Sequence, residues 1–324
     1  MKSYNNDIFT EFYDNLEDFL KNYISSSYLC VHNNYIKPIH YKSEDCCILK
    51  NYAKQPINIP DNVTHLIIEY FYYQLMPKLP PKLLCLDLRG SALNIDVNNL
   101  PDSLLYIYWN TDTCLTKLPL ANSRSIRGEL PPNLISLIVN SWKGAKLTEL
   151  PNTLTYLSCD VDCIQKVTYF PESLKYMRLI LSNKFNFNFE LLPNGLTHLN
   201  VDIGSVKIKS LDYLPQGLLY LEIENYYNSL DNLPNLIKTL VVKSKCYNKS
   251  LDMLPDSIEL LVLDNYQNKF IKLPANIKKI IINKDYKYIS DLSLLKPDLE
   301  LYEHGTEYGI LYSGRYSNNH TKII

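Results

Sequence analysis

The chain has 324 residues, 46% hydrophobic and 21% charged, with a formal net charge of −1. That length suits two ordinary domains or one extended repeat array, and the near-zero charge gives no basis for general attraction to nucleic acid or an anionic membrane. Nine glycines are too few for a fold built on many glycine turns, and 27 tyrosines caution against reading meaning into any single aromatic residue.

At the N-terminus, Ile8, Phe9, Phe12, Tyr13, Leu16, Phe19, Leu20, Tyr23 and Ile24 recur at helical spacing. They predict an amphipathic helix over 7–24, with Asn5, Asn6 or Asp7 as its N-cap. The stretch lacks the uninterrupted apolar core of a signal peptide, and no run is long enough to span a membrane. The eight scattered cysteines are therefore expected to be reduced and the protein intracellular. Residues 1–55 are read as an N-terminal helical segment, either a cap or an adaptor.

A repeat begins at residue 56. Proline preceded by an apolar residue recurs at 60, 80, 101, 131, 151, 171, 193, 215, 234, 255 and 274, with one longer interval that marks an insertion around Leu115–Arg127. Each proline opens the phrase Leu-Pro-x-x-Leu-x-x-Leu-x-Leu, as in LPDSLLYIYW from Leu100 and LPDSIELLVL from Leu254. The first apolar column runs Val63, Leu83, Leu104, Leu134, Leu154, Leu174, Leu196, Leu218, Ile237, Ile258, Ile277. The second runs from Leu66 to Ile280 and the third from Ile68 to Ile282, all apolar in all eleven repeats.

Alternation across the last two columns is the period of a strand with one buried face. Proline fixes φ and lacks a donor, which suits the approach to a short strand. About ten residues per repeat remain for the return path, too few for a full helix with two turns, so an extended or 3₁₀ return is expected. One repeat cannot bury its apolar columns alone, whereas stacked repeats merge them into one core. The expected fold is a leucine-rich-repeat solenoid over 56–297, with parallel short strands on the concave face and a helix-poor convex face. Residues 298–324 are expected to form a C-terminal cap or tail.

These phrases resemble short leucine-rich repeats. The later return segments resemble the FNIP repeat, frequent in social amoebae and in amoeba-infecting giant viruses. That resemblance rests on an aromatic-Asn pair before the next Leu-Pro: Phe185-Asn186, Tyr227-Asn228, Tyr247-Asn248 and, slipped by one, Tyr266-Gln267-Asn268. It implies a repeat fold and a role in protein interaction, carries over no catalytic residues, and would place a viral protein in the host cytoplasm.

Residues flanking the apolar columns are expected to face solvent on the concave side. There Tyr106, Tyr108, Tyr156, Tyr176, His198 and Tyr220 form an aromatic row beside acids that include Asp160, Asp202 and Glu224. This is the candidate surface for a protein partner with a basic segment. In the last repeats Val241, Val262 and Ile281 make the same face apolar, with Tyr302, Tyr308, Ile310, Leu311 and Tyr312 of the tail available to cover it. The phrase Lys296-Pro297-Asp298-Leu299-Glu300-Leu301 breaks register by one.

No catalytic constellation is present in the sequence. The six histidines have no metal-ligand spacing, and no phosphate loop or nucleophile elbow occurs. Cys46-Cys47 with His40 and Asp45 is better read as packing than as a metal site, and Cys159 falls in a core column. No metal or cofactor is expected, and the chain reads as a non-enzymatic interaction scaffold. The alternative is a substrate receptor joined to a ubiquitin ligase through residues 1–55, although the Leu-Pro-x-Glu opening of an F-box is missing.

Overall fold

The computed structural model describes residues 29–32, 35–38, 46–50, 59–69, 78–88, 99–110, 129–140, 147–181, 187–204, 210–244, 247–283, 286–304 and 320–322. The helix expected over 7–24, the insertion near Leu115–Arg127, the pair Phe185-Asn186 and the tail residues beyond His304 up to Leu311 and Tyr312 lie outside them. The chain divides into two compact units, Met1–Leu174 and Lys175–Ile324.

The first unit holds β1 (Leu29–His32), β2 (Tyr35–Pro38), β3 (Cys46–Lys50), β4 (His65–Glu69), β5 (Cys85–Asp87), β6 (Tyr106–Asn110), β7 (Ser136–Asn140) and β8 (Tyr156–Asp160). Strands β1 and β3 to β8 pair in parallel, and β2 closes the edge antiparallel to β1. The second unit holds β9 (Tyr176–Ile180), β10 (His198–Asp202), β11 (Tyr220–Glu224), β12 (Thr239–Lys243), β13 (Leu260–Asp264), β14 (Lys279–Asn283), β15 (Glu300–His304) and β16 (His320–Lys322). Strands β9 to β15 are parallel, and β16 closes that edge antiparallel to β15.

Every one of the eleven phrases becomes a strand, and each enters it through the same turn. In all eleven, the N–H of the first-column residue donates to the carbonyl of the proline three residues before it, from Val63 to Pro60 at 3.1 Å to Ile277 to Pro274 at 3.2 Å. Proline therefore opens a hydrogen-bonded turn where its missing donor is not needed, and the strand starts five residues later. A second linkage joins consecutive turns: the hydroxyls of Ser103, Thr153, Ser173 and Ser257 donate to the carbonyls of Leu83, Leu134, Leu154 and Ile237, one repeat earlier.

The three apolar columns form the core. All 33 members are at most 3% exposed, from Val63 to Ile282. Removing one such aliphatic side chain from water contributes about 1.5–3 kcal/mol, and each is buried by its own repeat together with its neighbours. Among the described residues, the return paths are turns and extended chain, with 3₁₀ turns at Val161–Cys163 and Phe189–Leu191. The α-helix α1 (Ile289–Leu295) takes the return path before β15.

At both ends the sheet continues past the eleven phrases. Residues 29–50 extend the parallel sheet through β1 and β3, although they contain no Leu-Pro phrase. At the other end, β15 continues the sheet with Leu301 beside Ile280 and Tyr302 beside Ile281. The shift of one residue is taken up in the turn, where the Leu299 N–H donates to Lys296 rather than to Pro297. Tyr302 is therefore a strand residue in the outward middle row, with the Lys279 ammonium 3.9 Å from its ring centre, and not a tail residue folded across that row.

The return path holds a feature that the sequence placed one residue out. Tyr226, Tyr247, Tyr266 and Tyr286 recur in successive repeats inside the second unit, all buried, with 6.3 Å between the tilted rings of Tyr247 and Tyr266 and 6.2 Å between the stacked rings of Tyr266 and Tyr286. The Tyr247 hydroxyl donates to the Asn228 carbonyl at 3.1 Å, and the Tyr286 hydroxyl to the Asn268 carbonyl at 2.9 Å. The buried ring beside Asn228 is thus Tyr226, and Tyr227 is exposed. Tyr226, Tyr247 and Tyr266 each precede the leucine of the next Leu-Pro by seven residues, so Tyr266 is in register rather than slipped.

Candidate functional site: the outward face of the strands

A parallel strand sends alternate side chains to opposite sides of the sheet. With the aliphatic columns inward, the first, third and fifth residues of each strand face outward. In the second unit β9, β10 and β11 present Tyr176, Arg178 and Ile180, then His198, Asn200 and Asp202, then Tyr220, Glu222 and Glu224. The register sets Tyr176 beside His198 and His198 beside Tyr220. Their rings stack, with centres 4.7 and 5.9 Å apart and planes 25° apart in both pairs.

The acids beside this stack form a connected set. The Tyr220 hydroxyl donates to Glu222 Oε2 at 2.7 Å, and Lys243 of β12 pairs with Glu222 Oε1. Burial pushes the Glu224 carboxyl up; Lys243 opposes that shift, while Glu222 and Asp202 add to it. Asp202 Oδ1 accepts from the Gly204 N–H and from Asn225 Nδ2, both at 2.9 Å. Gly204 and Asn225 hold φ of 57° and 58°, so this carboxylate also fixes two left-handed residues that turn the chain out of its strands.

Exposure corrects part of the sequence reading. Tyr156, His198 and Tyr220 were expected to face solvent but are buried, while Tyr106, Tyr108, Asp160, Tyr176, Asp202 and Glu224 are partly exposed. Parallel strands lie about 4.8 Å apart, so a large outward side chain is covered by those in register on both neighbouring strands. Val241, Val262 and Ile281, the apolar middle row over which the tail was expected to fold, are buried as well. The expected row also falls into two groups: Tyr106, Tyr108, Tyr156 and Asp160 belong to the first unit, and Tyr176, His198, Asp202, Tyr220 and Glu224 to the second. In the first unit Ser136 lies in register between Tyr106 and Tyr156, so their rings are set one strand apart. Arg178 and Glu222 were not singled out by the aromatic and acidic count, because their roles depend on cross-strand neighbours.

His198 supplies a pH test. Burial lowers its imidazole from 6.5 to about 4, so the folded protein holds it neutral. Between these values the unfolded chain binds the extra proton, and stability rises with pH. The contribution is complete above about pH 6.5 and is lost as pH falls towards 4. It amounts to up to about 2 kcal/mol once partial solvation of the ring is allowed for. Urea melts of wild type and His198→Phe at pH 7 and pH 4.5 should show a smaller acid loss in the variant; equal losses would contradict the assignment.

Cys159 and Cys163 are buried free thiols. Burial pushes both up, Cys163 to about 12, so neither is a thiolate nucleophile near neutral pH. Among the described residues no group of three or more His, Cys, Asp or Glu side chains is placed to hold a metal ion. No helix among them is long and apolar enough to cross a membrane. The side chains of Cys46 and Cys47, with His40 and Asp45, lie outside the described set.

Short parallel strands carrying leucine columns, joined by compact turns, define the architecture. The fold is a leucine-rich-repeat solenoid. No protein family and no curated protein matches the sequence. Solved structures similar to the chain include CroV588, a circular leucine-rich-repeat protein, at 21% identity and TM-score 0.45, over 79% of this chain and 45% of that one. YopM from Yersinia enterocolitica WA-314 is similar at 21% identity and TM-score 0.37, over 74% of this chain and 61% of that one. The functional domain of InlJ from Listeria monocytogenes is similar at 14% identity and TM-score 0.43, over 85% and 63%. The chain spans less than half of CroV588 and less than two thirds of the other two.

Proposed function

We propose that the protein is a non-catalytic interaction scaffold of FNIP type whose outward strand face in the second unit docks a protein partner through a basic segment. The observation that carries this reading is the juxtaposition on β9 to β11 of a stacked aromatic row and a carboxylate row. Tyr176 is the accessible edge of the stack, and Asp202 and Glu224 lie four residues further along β10 and β11 on the same outward face. Stacked rings give a rigid platform with little entropy left to lose, and carboxylates set the register of a cationic segment. Glu222 is already paired with Lys243 and is a positioning residue for the platform rather than a contact. Tyr106, Tyr108 and Asp160 are the corresponding contacts in the first unit.

Selection of random peptides on the full chain should enrich segments containing Lys or Arg. Tyr176→Ser combined with Glu224→Ala should weaken the selected ligands by roughly tenfold, with the circular dichroism of the folded chain preserved. Tyr220 and Tyr156 are unsuitable for this test because they are buried, and their removal would disturb the sheet itself. Enrichment without basic residues, or affinity unchanged in the double variant, would overturn the proposal.

A further inference from the structure

On the return-loop side of the second unit the sequence repeats Ser-Leu-Asp before the next Leu-Pro: Ser210-Leu211-Asp212, Ser229-Leu230-Asp231 and Ser250-Leu251-Asp252. In each the leucine is buried, and the serine hydroxyl accepts the aspartate N–H at 2.9, 3.2 and 3.1 Å. The aspartate and the residue after it are thereby turned outward. These loops are joined directly: Asn232 Nδ2 donates to Asp212 Oδ1 at 2.9 Å, and the Ile271 and Lys272 N–H groups donate to Asp252 Oδ1.

The outward positions form two neighbouring rows. One is largely apolar and open to solvent: Leu191, Tyr213 at 62% exposure and Met253 at 67%, with Asn232 between the last two and Lys272 after them. The other is acidic: Glu190, Asp212, Asp231 and Asp252. Hydrogen bonds from Ser210 and Asn232 hold the Asp212 carboxyl below the usual carboxylate range, so it is ionised at neutral pH. Leu191, Tyr213 and Met253 lie outside the buried core columns, and exposed apolar rows edged by charge mark contact surfaces.

We propose that this loop edge is a second docking surface, distinct from the strand face, and that its occupant is a basic, apolar-anchored peptide segment of a partner protein. Leu191, Tyr213 and Met253 would take the apolar side chains of that segment, and Asp212, Asp231 and Asp252 would meet its cations. Charge decides the occupant. The carboxylate row repels an acidic peptide or an anionic membrane and attracts lysine or arginine spaced among apolar residues.

The test uses the full chain and a fluorescent synthetic peptide in which lysine alternates with leucine and phenylalanine, read by anisotropy. Two controls carry glutamate in place of lysine, or serine in place of leucine and phenylalanine. The expected result is binding of the basic apolar peptide alone, weakened roughly tenfold by Tyr213→Ser with Met253→Ser. Asp231→Asn should reduce its dependence on salt. The altered residues are exposed, so melting temperature should be unchanged. Absence of binding, equal binding of either control or indifference to these variants would overturn the proposal. Loss of binding in Tyr176→Ser with Glu224→Ala instead would move the peptide to the strand face, overturning this proposal while leaving the proposed function standing.

Discussion

Replacing Tyr266 by alanine should destabilise the protein by about 3–5 kcal/mol, the range expected when a large buried ring is removed from a close-packed interior. Tyr266 is fully buried between Tyr247 and Tyr286, and its ring centre is 5.2 Å from that of Phe270. Its removal opens a cavity shared by three successive repeats, which cannot collapse without shifting strands on both sides. Tyr247→Phe is the graded comparison. It keeps the ring and removes the hydroxyl that donates to Asn228, leaving a carbonyl without that donor at a loss of about 1–3 kcal/mol. Urea denaturation of both variants measures the difference. A Tyr266→Ala loss no larger than that of Tyr247→Phe would mean that the stack does not tie the repeats together.

The second large effect is alkaline. Burial pushes the phenol of Tyr226 from 10 to about 12 and that of Tyr266 likewise, and raises Tyr247 and Tyr286 in the same direction. All four are held protonated in the folded state, so their contribution is fully present below pH 10. As pH climbs from 10 towards 12, the unfolded chain releases its protons first and stability falls. Each of Tyr226 and Tyr266 contributes up to about 2 kcal/mol to this loss after allowance for partial solvation, and the four act on one structure. Phenolate absorbance and circular dichroism followed together should show the buried tyrosines ionising in the same step that unfolds the second unit. Ionisation of all tyrosines near pH 10 with the fold intact would contradict the buried ladder.

These two effects concern residues that the sequence identified only in part. The three leucine columns were legible because alternation and Leu-Pro spacing both fix direction, and direction decides burial for the inward face. The same logic failed for Tyr156, His198 and Tyr220. Alternation says that they point outward, but not that neighbours in register, such as Tyr176 beside His198, will cover them. The ladder was visible as an aromatic-Asn pair, yet Tyr226 and Tyr227 are adjacent in sequence, and only the constant distance to the next leucine separates the buried ring from the exposed one. Strands β1 and β3 had no signature, since they join the sheet without a proline turn. The Ser-Leu-Asp loops are short, and their chemistry appears only once serine is seen turning each aspartate outward.

The scaffold reading divides the molecule between an inward face that holds it together and an outward strand face that meets a partner. Carbodiimide footprinting of carboxylates on the full chain, with and without a ligand selected by peptide display, tests that division most directly. Asp202 and Glu224 should lose reactivity when the ligand is bound, while exposed Asp298 in the turn before β15 keeps its own. Unchanged labelling at Asp202 and Glu224 in the saturated complex would contradict docking on the strand face.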